Sequence, residues 1–353
     1  MSLPQSAVTL DSTAQLPIVA DTAAPDAQDL IEASDHSEYN SSVTDDRIST
    51  YTESIASSIV DYPIENGRRY HAFREGAYPY PNDEAEMDRL DLSHALMKKI
   101  LGGKLFQAPL EAEKTRRILD IGTGTGIWSI DMGDKFPHAE IIGNDLSAIQ
   151  PSWVPPNVKF IVDDVESPWV DGDNYDYIMC RCMVSSIKDW PRLFQNVYDH
   201  INPGCWAEFQ DICIDYYSED GTLTGDHIVT RWVADLHKAA GILGRDCCSG
   251  RGLKGWAEDT GFENIFHRKY KIPVGPWAKD PLHRDIGMHN LVQLLDGLEG
   301  FTMRIFCGVL GWSRDDVLVF LAELRKELKS GVYHSMFDFH VVYGQKPGSA
   351  PEP

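Results

Sequence analysis

The sequence predicts an α/β protein: a doubly wound, Rossmann-like sheet, with a helical lid before it and a helical cap inserted late. Two observations carry the prediction. From Arg117 to Leu146 (RILDIGTGTGIWSIDMGDKFPHAEIIGNDL) the chain reads strand, glycine turn, helix, strand and acidic residue. Beyond it, short apolar runs alternate with segments whose apolar residues recur at helical spacing, as crossover helices linking parallel strands require.

The elements follow in order. Residues 1–60 are rich in Ser, Thr, Ala and Asp, with Arg47 the only Lys or Arg. Such a segment buries too little to order itself and reads as a disordered acidic tail. The alternative is a docking or phosphorylation segment. Residues 61–110 read as the lid. Tyr62–Asp83 is dense in aromatic and turn residues, and Asp83 with Glu86 forms a capping-box pattern. Met87, Leu90, His94, Met97 and Leu101 follow at 3–4 spacing until Gly102-Gly103 stops the helix. His94 on that stripe is either a core histidine or a residue facing substrate.

Residues 111–347 hold the sheet. Ile118 and Leu119 open the first strand, and Gly122, Gly124 and Gly126 supply a turn whose backbone a ligand can approach closely. Ile127–Phe136 has helical spacing, and its free N-terminal N–H groups point back at the turn. Ile141–Gly143 forms the second strand, with Asp145 just beyond. Val158–Val162 reads as the third strand, Tyr175–Cys180 as the fourth and Cys205–Ile214 as the fifth. Asp189 caps the helix between the last two, and Asn202-Pro203-Gly204 ends it. Helices are expected at His227–Leu243 and Gly252–Asp259, a sixth strand at Asn264–Val274 and a seventh at Met336–Tyr343. Residues 275–333 form the insertion, helical by pattern, whose last helix starts at Ser313 and turns Val317, Phe320, Leu321, Leu324 and Leu328 to one face. It reads as a substrate cap or a dimer surface.

The glycine spacing selects the ligand. Dinucleotide sites use G-x-G-x-x-G, whereas the third glycine position here is Ile127. An acidic residue opening the turn, Asp120, suits a cationic ligand better than a pyrophosphate. S-adenosylmethionine (SAM) carries an ammonium and a sulfonium, no phosphate, and a ribose whose hydroxyls can donate to Asp145. After the third strand, Asp164 suits the adenine amino group better than Asp163, and Val165 offers its N–H to the ring.

The 353 residues carry a net charge of −22, which argues against a nucleic-acid surface. No apolar run approaches the ~18 residues of a membrane span. The polar N-terminus lacks the basic region of a secretory signal. Seven cysteines without paired metal spacing read as small buried thiols in a reducing compartment, and no metal is expected. The cytoplasm is the expected location.

DIGTGTGIWSID followed by IIGNDLSAIQP resembles the class I SAM-dependent methyltransferases. ENGRRYHAFREGAYPYPNDEAEMDRLD, SSIKDWPRLF, INPGCWAEFQD, KIPVGPWAKDP, LLDGLEGF and VVYGQKP narrow the resemblance to the fungal LaeA-like family, over about Ile64 to Pro347. The resemblance implies seven strands, six parallel and the last antiparallel, with SAM as cofactor. Carried over by motif, Asp120, Gly122, Thr123 and Gly124 hold the methionine moiety, Asp145 the ribose, and Asp164 with Val165 the adenine. Leu146, Cys180 and Arg181 complete the expected cofactor set. Met183 beyond the fourth strand, Tyr78 in the lid and Trp277 in the cap are expected at the substrate. One departure is Pro203-Gly204-Cys205-Trp206, where relatives tend to have Pro-Gly-Gly-Trp.

Methyl transfer from a sulfonium needs alignment and dryness more than it needs a strong base. His94, His71, Glu208 and Asp211 are the weak candidates for a base, each with a structural alternative. The expected function is methylation of a small-molecule acceptor in secondary metabolism. The family also contains regulators that act in the nucleus with partner proteins, which is the alternative. A nicotinamide-dependent oxidoreductase ranks behind both because the dinucleotide glycine is missing.

Overall fold

In the computed structural model the described residues are 59–169 and 174–348. The acidic tail therefore lies outside them up to residue 58. A two-strand hairpin, β1 (Ile64–Glu65) and β2 (Arg68–Arg69), precedes helix α1 (Glu84–Ile100). Then follow β3 (Arg117–Ile121), α2 (Ile127–Lys135), β4 (Glu140–Asp145), β5 (Val158–Val162), β6 (Tyr175–Arg181), α3 (Trp190–His200) and β7 (Ile201–Tyr217). The remainder is α4 (Ile228–Ile242), α5 (Ser249–Thr260), β8 (Glu263–Pro273), α6 (Pro281–Gly308), α7 (Arg314–Ser330) and β9 (Met336–Gln345).

The sheet order is β5-β4-β3-β6-β7-β9-β8. β9 is antiparallel to both neighbours and the other pairs are parallel, so six strands share one direction and the last opposes them. Strand periodicity sorts the side chains onto two faces. Ile118, Tyr177 and Met179 pack with Trp128 and Met132 of α2. Leu119, Ile121, Ile178 and Cys180 point the other way, onto Phe194 of α3 and Leu253 of α5.

The helix ends follow the predicted chemistry. Asp83 accepts from Glu86 N, Asp189 from Arg192 N, and Ser313 from Asp316 N. The fifth strand is longer than expected. It starts at Ile201, which pairs with Tyr175 of β6, and continues to Tyr217 because β9 pairs with it well past Gln210, where β6 has already ended. This β7–β9 extension carries the cap. Phe337, Phe339 and Val341 pack in one core with α1, α4, α6 and α7. The insertion thus stands over the carboxyl ends of the parallel strands.

Two corrections concern cysteine and the lid helix. Cys213 and Cys248, expected as free thiols, are bonded to each other, because the turn before α5 brings Cys248 against β7. The face of α1 is not purely apolar either. Glu86 and Arg89 are buried as an ion pair, with Arg89 donating from Nε and Nη2 to Glu86 and from Nη1 to Gln293 Oε1 of α6.

Candidate functional site

A cavity opens where β3, β4, β5 and β6 end. The turn from Gly122 to Thr125 forms its floor, with Asp120, Asp145, Leu146, Asp164, Val165, Arg181 and Met183 around it and Tyr78, Leu90 and His94 of the lid above. Eleven of the thirteen residues expected at cofactor or substrate line this one space: Asp120, Gly122, Thr123, Gly124, Asp145, Leu146, Asp164, Val165, Arg181, Met183 and Tyr78.

Asp120 is buried. Thr123 Oγ1 donates to its Oδ2 at 2.6 Å and Ser129 Oγ at 2.7 Å, while burial still holds its carboxyl above the ordinary range. Both donors use one oxygen, so the other is left for a ligand. Asp145 accepts from Gly124 N at 2.9 Å and Ser147 N at 3.0 Å, and burial pushes its carboxyl up to about 6. Two carboxylates around a glycine turn, Asp120 buried and Asp145 partly exposed, suit a ligand rich in donors and positive charge. They are poor company for phosphate.

Gly126 answers to packing. Its φ is +81°, and a Cβ there would overlap the Phe160 ring on β5. Gly143 has the same task, since a Cβ would sit 2.7 Å from Thr123 Oγ1. The third glycine of the turn therefore lets helix and sheet close against each other without a dinucleotide.

The lid is tied to the floor. Thr125 Oγ1 donates to Asp91 at 2.6 Å and Asn82 Nδ2 to Ser147 Oγ at 3.2 Å. Arg181 Nη2 lies 2.9 Å from His94 Nδ1, and His94 Nε2 lies 3.1 Å from Asp131 Oδ2. A guanidinium only donates, so Nδ1 accepts and the ring proton sits on Nε2. Burial, then the Arg181 charge, lowers His94 to about 4. His94 is thus a neutral relay between Arg181 and Asp131, with its lone pair already engaged.

Behind Tyr78, Leu90, Ser93, Met97 and Cys182, which both spaces share, lies a second cavity. Its walls are mostly apolar: Ile212, Ile214 and Tyr216 from the β7 extension, Trp232 and Leu236 from α4, and Phe301 and Ile305 from α6. Tyr216 stacks on Phe337 of β9 at 5.4 Å. Burial raises the Tyr78 and Tyr80 phenols above their ordinary range.

Other expected residues lie elsewhere. Cys180 is on the α3/α5 face of β6, so strand parity turns it away from the cavity that Arg181 reaches. Trp277 donates to Ser335 O and stacks on His334 outside both cavities, because the chain there turns from β8 toward α6. Glu208 accepts from Gln107 N, Ala108 N, Tyr177 Oη and Gln210 Nε2 deep in the sheet. It pins the segment before β3. His71 packs by Nε2 on Arg74 O. Asp211, raised to about 7 by burial, accepts from Ile212 N and Ser249 Oγ. Neither lines the first cavity.

Sequence reasoning missed Ser129, Asp91 and Arg245. Ser129 had a signal, since it lies one turn into the helix that follows the glycines. Arg245 had none.

Residues 93–267 match the family described as methyltransferase domain. The chain is 47% identical over 295 residues to the Aspergillus terreus protein named methyltransferase pytC, covering 83% of this chain and 91% of that one. It is 37% identical over 290 residues to secondary metabolism regulator LAE1 of Cochliobolus heterostrophus, covering 80% and 94%. It is 32% identical over 290 residues to secondary metabolism regulator laeA of Aspergillus flavus, covering 81% and 78%.

Proposed function

The chain belongs to the fungal LaeA-like family of class I SAM-dependent methyltransferases, and from that premise we propose that it methylates a small, largely apolar molecule held in the second cavity. One observation carries the reading: the second cavity shares a wall with the first and is lined by α6 of the insertion. In this reading Asp120 accepts from the cofactor ammonium, Asp145 from the ribose hydroxyls and Asp164 from the adenine amino group. Arg181, held by His94, borders the transfer point. SAM supplies an activated methyl group. The chain's own residues align the acceptor with it and exclude water.

The test is incubation of the protein with methyl-labelled SAM and an extract of its own cells, separated into metabolite and protein fractions. Asp120→Asn serves as control. Label in the metabolite fraction that the control loses supports the reading, and label confined to protein overturns it.

A second reading is favoured by the relatives at 37% and 32% identity, both named as regulators. In it the chain regulates secondary metabolism through partner proteins, with the tail and the cap as contact surfaces. It predicts that Asp120→Asn leaves the cellular phenotype intact while deletion of residues 1–60 abolishes it. The reverse pattern removes this reading.

A further inference from the structure

We propose that the second cavity selects acceptors that are already anions, apolar acids bound as carboxylates or stabilised enolates, with Arg245 as the residue that holds the charge. The inference rests on the methyltransferase reading and names the substrate class of that same site.

Arg245 follows α4 and is 8% exposed. It lines the second cavity. Its guanidinium donates to two backbone carbonyls, Nη1 to Ser186 O and Nη2 to Ala77 O. Ala77 and Ser186 both border the first cavity, so Arg245 sits at the seam where methyl donor and acceptor meet.

No carboxylate among the described residues pairs with it. Asp164 and Glu166 act on it only through space. Asp164 is engaged by Glu166 N and Ser167 Oγ, and Glu166 by Lys188 N and Asp189 N. Neighbouring Asp246 accepts from Cys248 N. A buried guanidinium stays charged, and two carbonyl dipoles neutralise it only in part. The other cation of this cavity, Arg89, differs in having Glu86 as a buried partner. Among the described residues no Asp, Glu or His lines the second cavity, so Arg245 faces it without a carboxylate in contact.

The same lining explains how the reaction proceeds without a protein base. An anionic oxygen donates its electron pair to the methyl carbon and the O–CH3 bond forms. The CH3–S bond breaks with its pair going to sulfur, which leaves neutral S-adenosylhomocysteine and a neutral ester or enol ether. No proton enters the protein. The product no longer matches Arg245, which favours its release. Because the oxygen's charge is already being spent in the transition state, Arg245 stabilises the bound anion more than the reacting one, and its loss is expected to raise KM without lowering kcat.

The test uses two probes on the same ring system, the anionic 2-naphthoate and the neutral 2-naphthalenemethanol. Each displaces the reporter fluorophore N-phenyl-1-naphthylamine from the full chain in the presence of S-adenosylhomocysteine. The wild-type protein is expected to bind the naphthoate more tightly, although the alcohol is the more apolar. Arg245→Met is expected to weaken the naphthoate by roughly tenfold or more, as loss of a charge-assisted hydrogen bond does, and to leave the alcohol within about twofold. Ala240→Phe, which fills the cavity wall, should weaken both. An alcohol preference in the wild type overturns the proposal, as does an equal loss of both ligands in Arg245→Met. The wild-type comparison decides alone if that variant does not fold. Calorimetry with SAM is run in parallel. Absent SAM binding refutes the methyltransferase reading, whereas SAM binding without an anion preference refutes only this inference.

Discussion

Replacing Asp120 by Asn separates ligand binding from folding. The carboxylate is isosteric with the amide, and Thr123 and Ser129 can donate to the remaining oxygen as they now donate to Oδ2. The free protein therefore keeps its turn. It also escapes the cost of a buried charge, which is what raises the Asp120 carboxyl above its ordinary range. Thermal stability should be unchanged or slightly higher. On the proposed reading the cofactor ammonium, by contrast, loses an anionic acceptor and meets an amide that can turn a donor toward it. A hydrogen bond to a charged group contributes about 1.5–3 kcal/mol. At about 1.4 kcal/mol per decade, the SAM Kd should rise roughly 10- to 150-fold. Isothermal titration with SAM and a thermal melt of the free protein read the two quantities separately. An unchanged Kd would show that Asp120 does not hold the cofactor. A melting temperature lower by several degrees would show that its work is structural.

Asp145 sets a pH dependence. Its folded pKa of about 6 exceeds the ordinary 3.8, so through this group the free protein loses stability as pH rises across that interval. If Asp145 accepts from the ribose as proposed, the hydroxyls favour its ionised form, and SAM affinity should fall as pH drops through 6, by about tenfold between pH 7 and 5, measured by titration at each pH. Gly126→Ala forces a side chain into φ +81° and against Phe160, and should lower stability by about 2–4 kcal/mol in denaturant unfolding. Removing one partner of the buried Glu86–Arg89 pair should cost about 3–5 kcal/mol, while the double variant Glu86→Leu/Arg89→Met recovers most of it, as denaturation midpoints would report. His94→Ala should raise the KM for SAM by loosening Arg181 without removing a basic limb from the kcat–pH profile, because the ring is already neutral with its lone pair engaged.

Much of this molecule is local and therefore legible. The order of strands and helices follows from periodicity, and Asp83, Asp189 and Ser313 mark helix starts by a chemistry confined to one turn. The glycine turn with Asp120 and Asp145 also lies within a single strand–helix–strand unit, so its ligand class could be argued from spacing. Cys180 also illustrates local parity: alternate residues of β6 face opposite layers, and the Arg181 side chain, not that of Cys180, lines the cavity.

The acceptor side is different because it is assembled from parts distant in sequence. Arg89 meets Gln293 across 204 residues and Arg245 reaches Ala77 across 168. Trp277 looked suited to the acceptor by composition, yet the turn out of β8 carries it to Ser335 instead. Periodicity tells which face of a helix is apolar and leaves open what that face meets. Burial of Glu86, the engaged lone pair of His94 and the unpaired charge of Arg245 depend on which elements the sheet order and the insertion bring together. The sequence alone determined the fold and the cofactor class, since both are encoded in contiguous segments. Only the tertiary structure decided the shape and charge of the second cavity, the proposed acceptor site, since that surface exists only once α1, α4, α6 and the β7–β9 extension have packed.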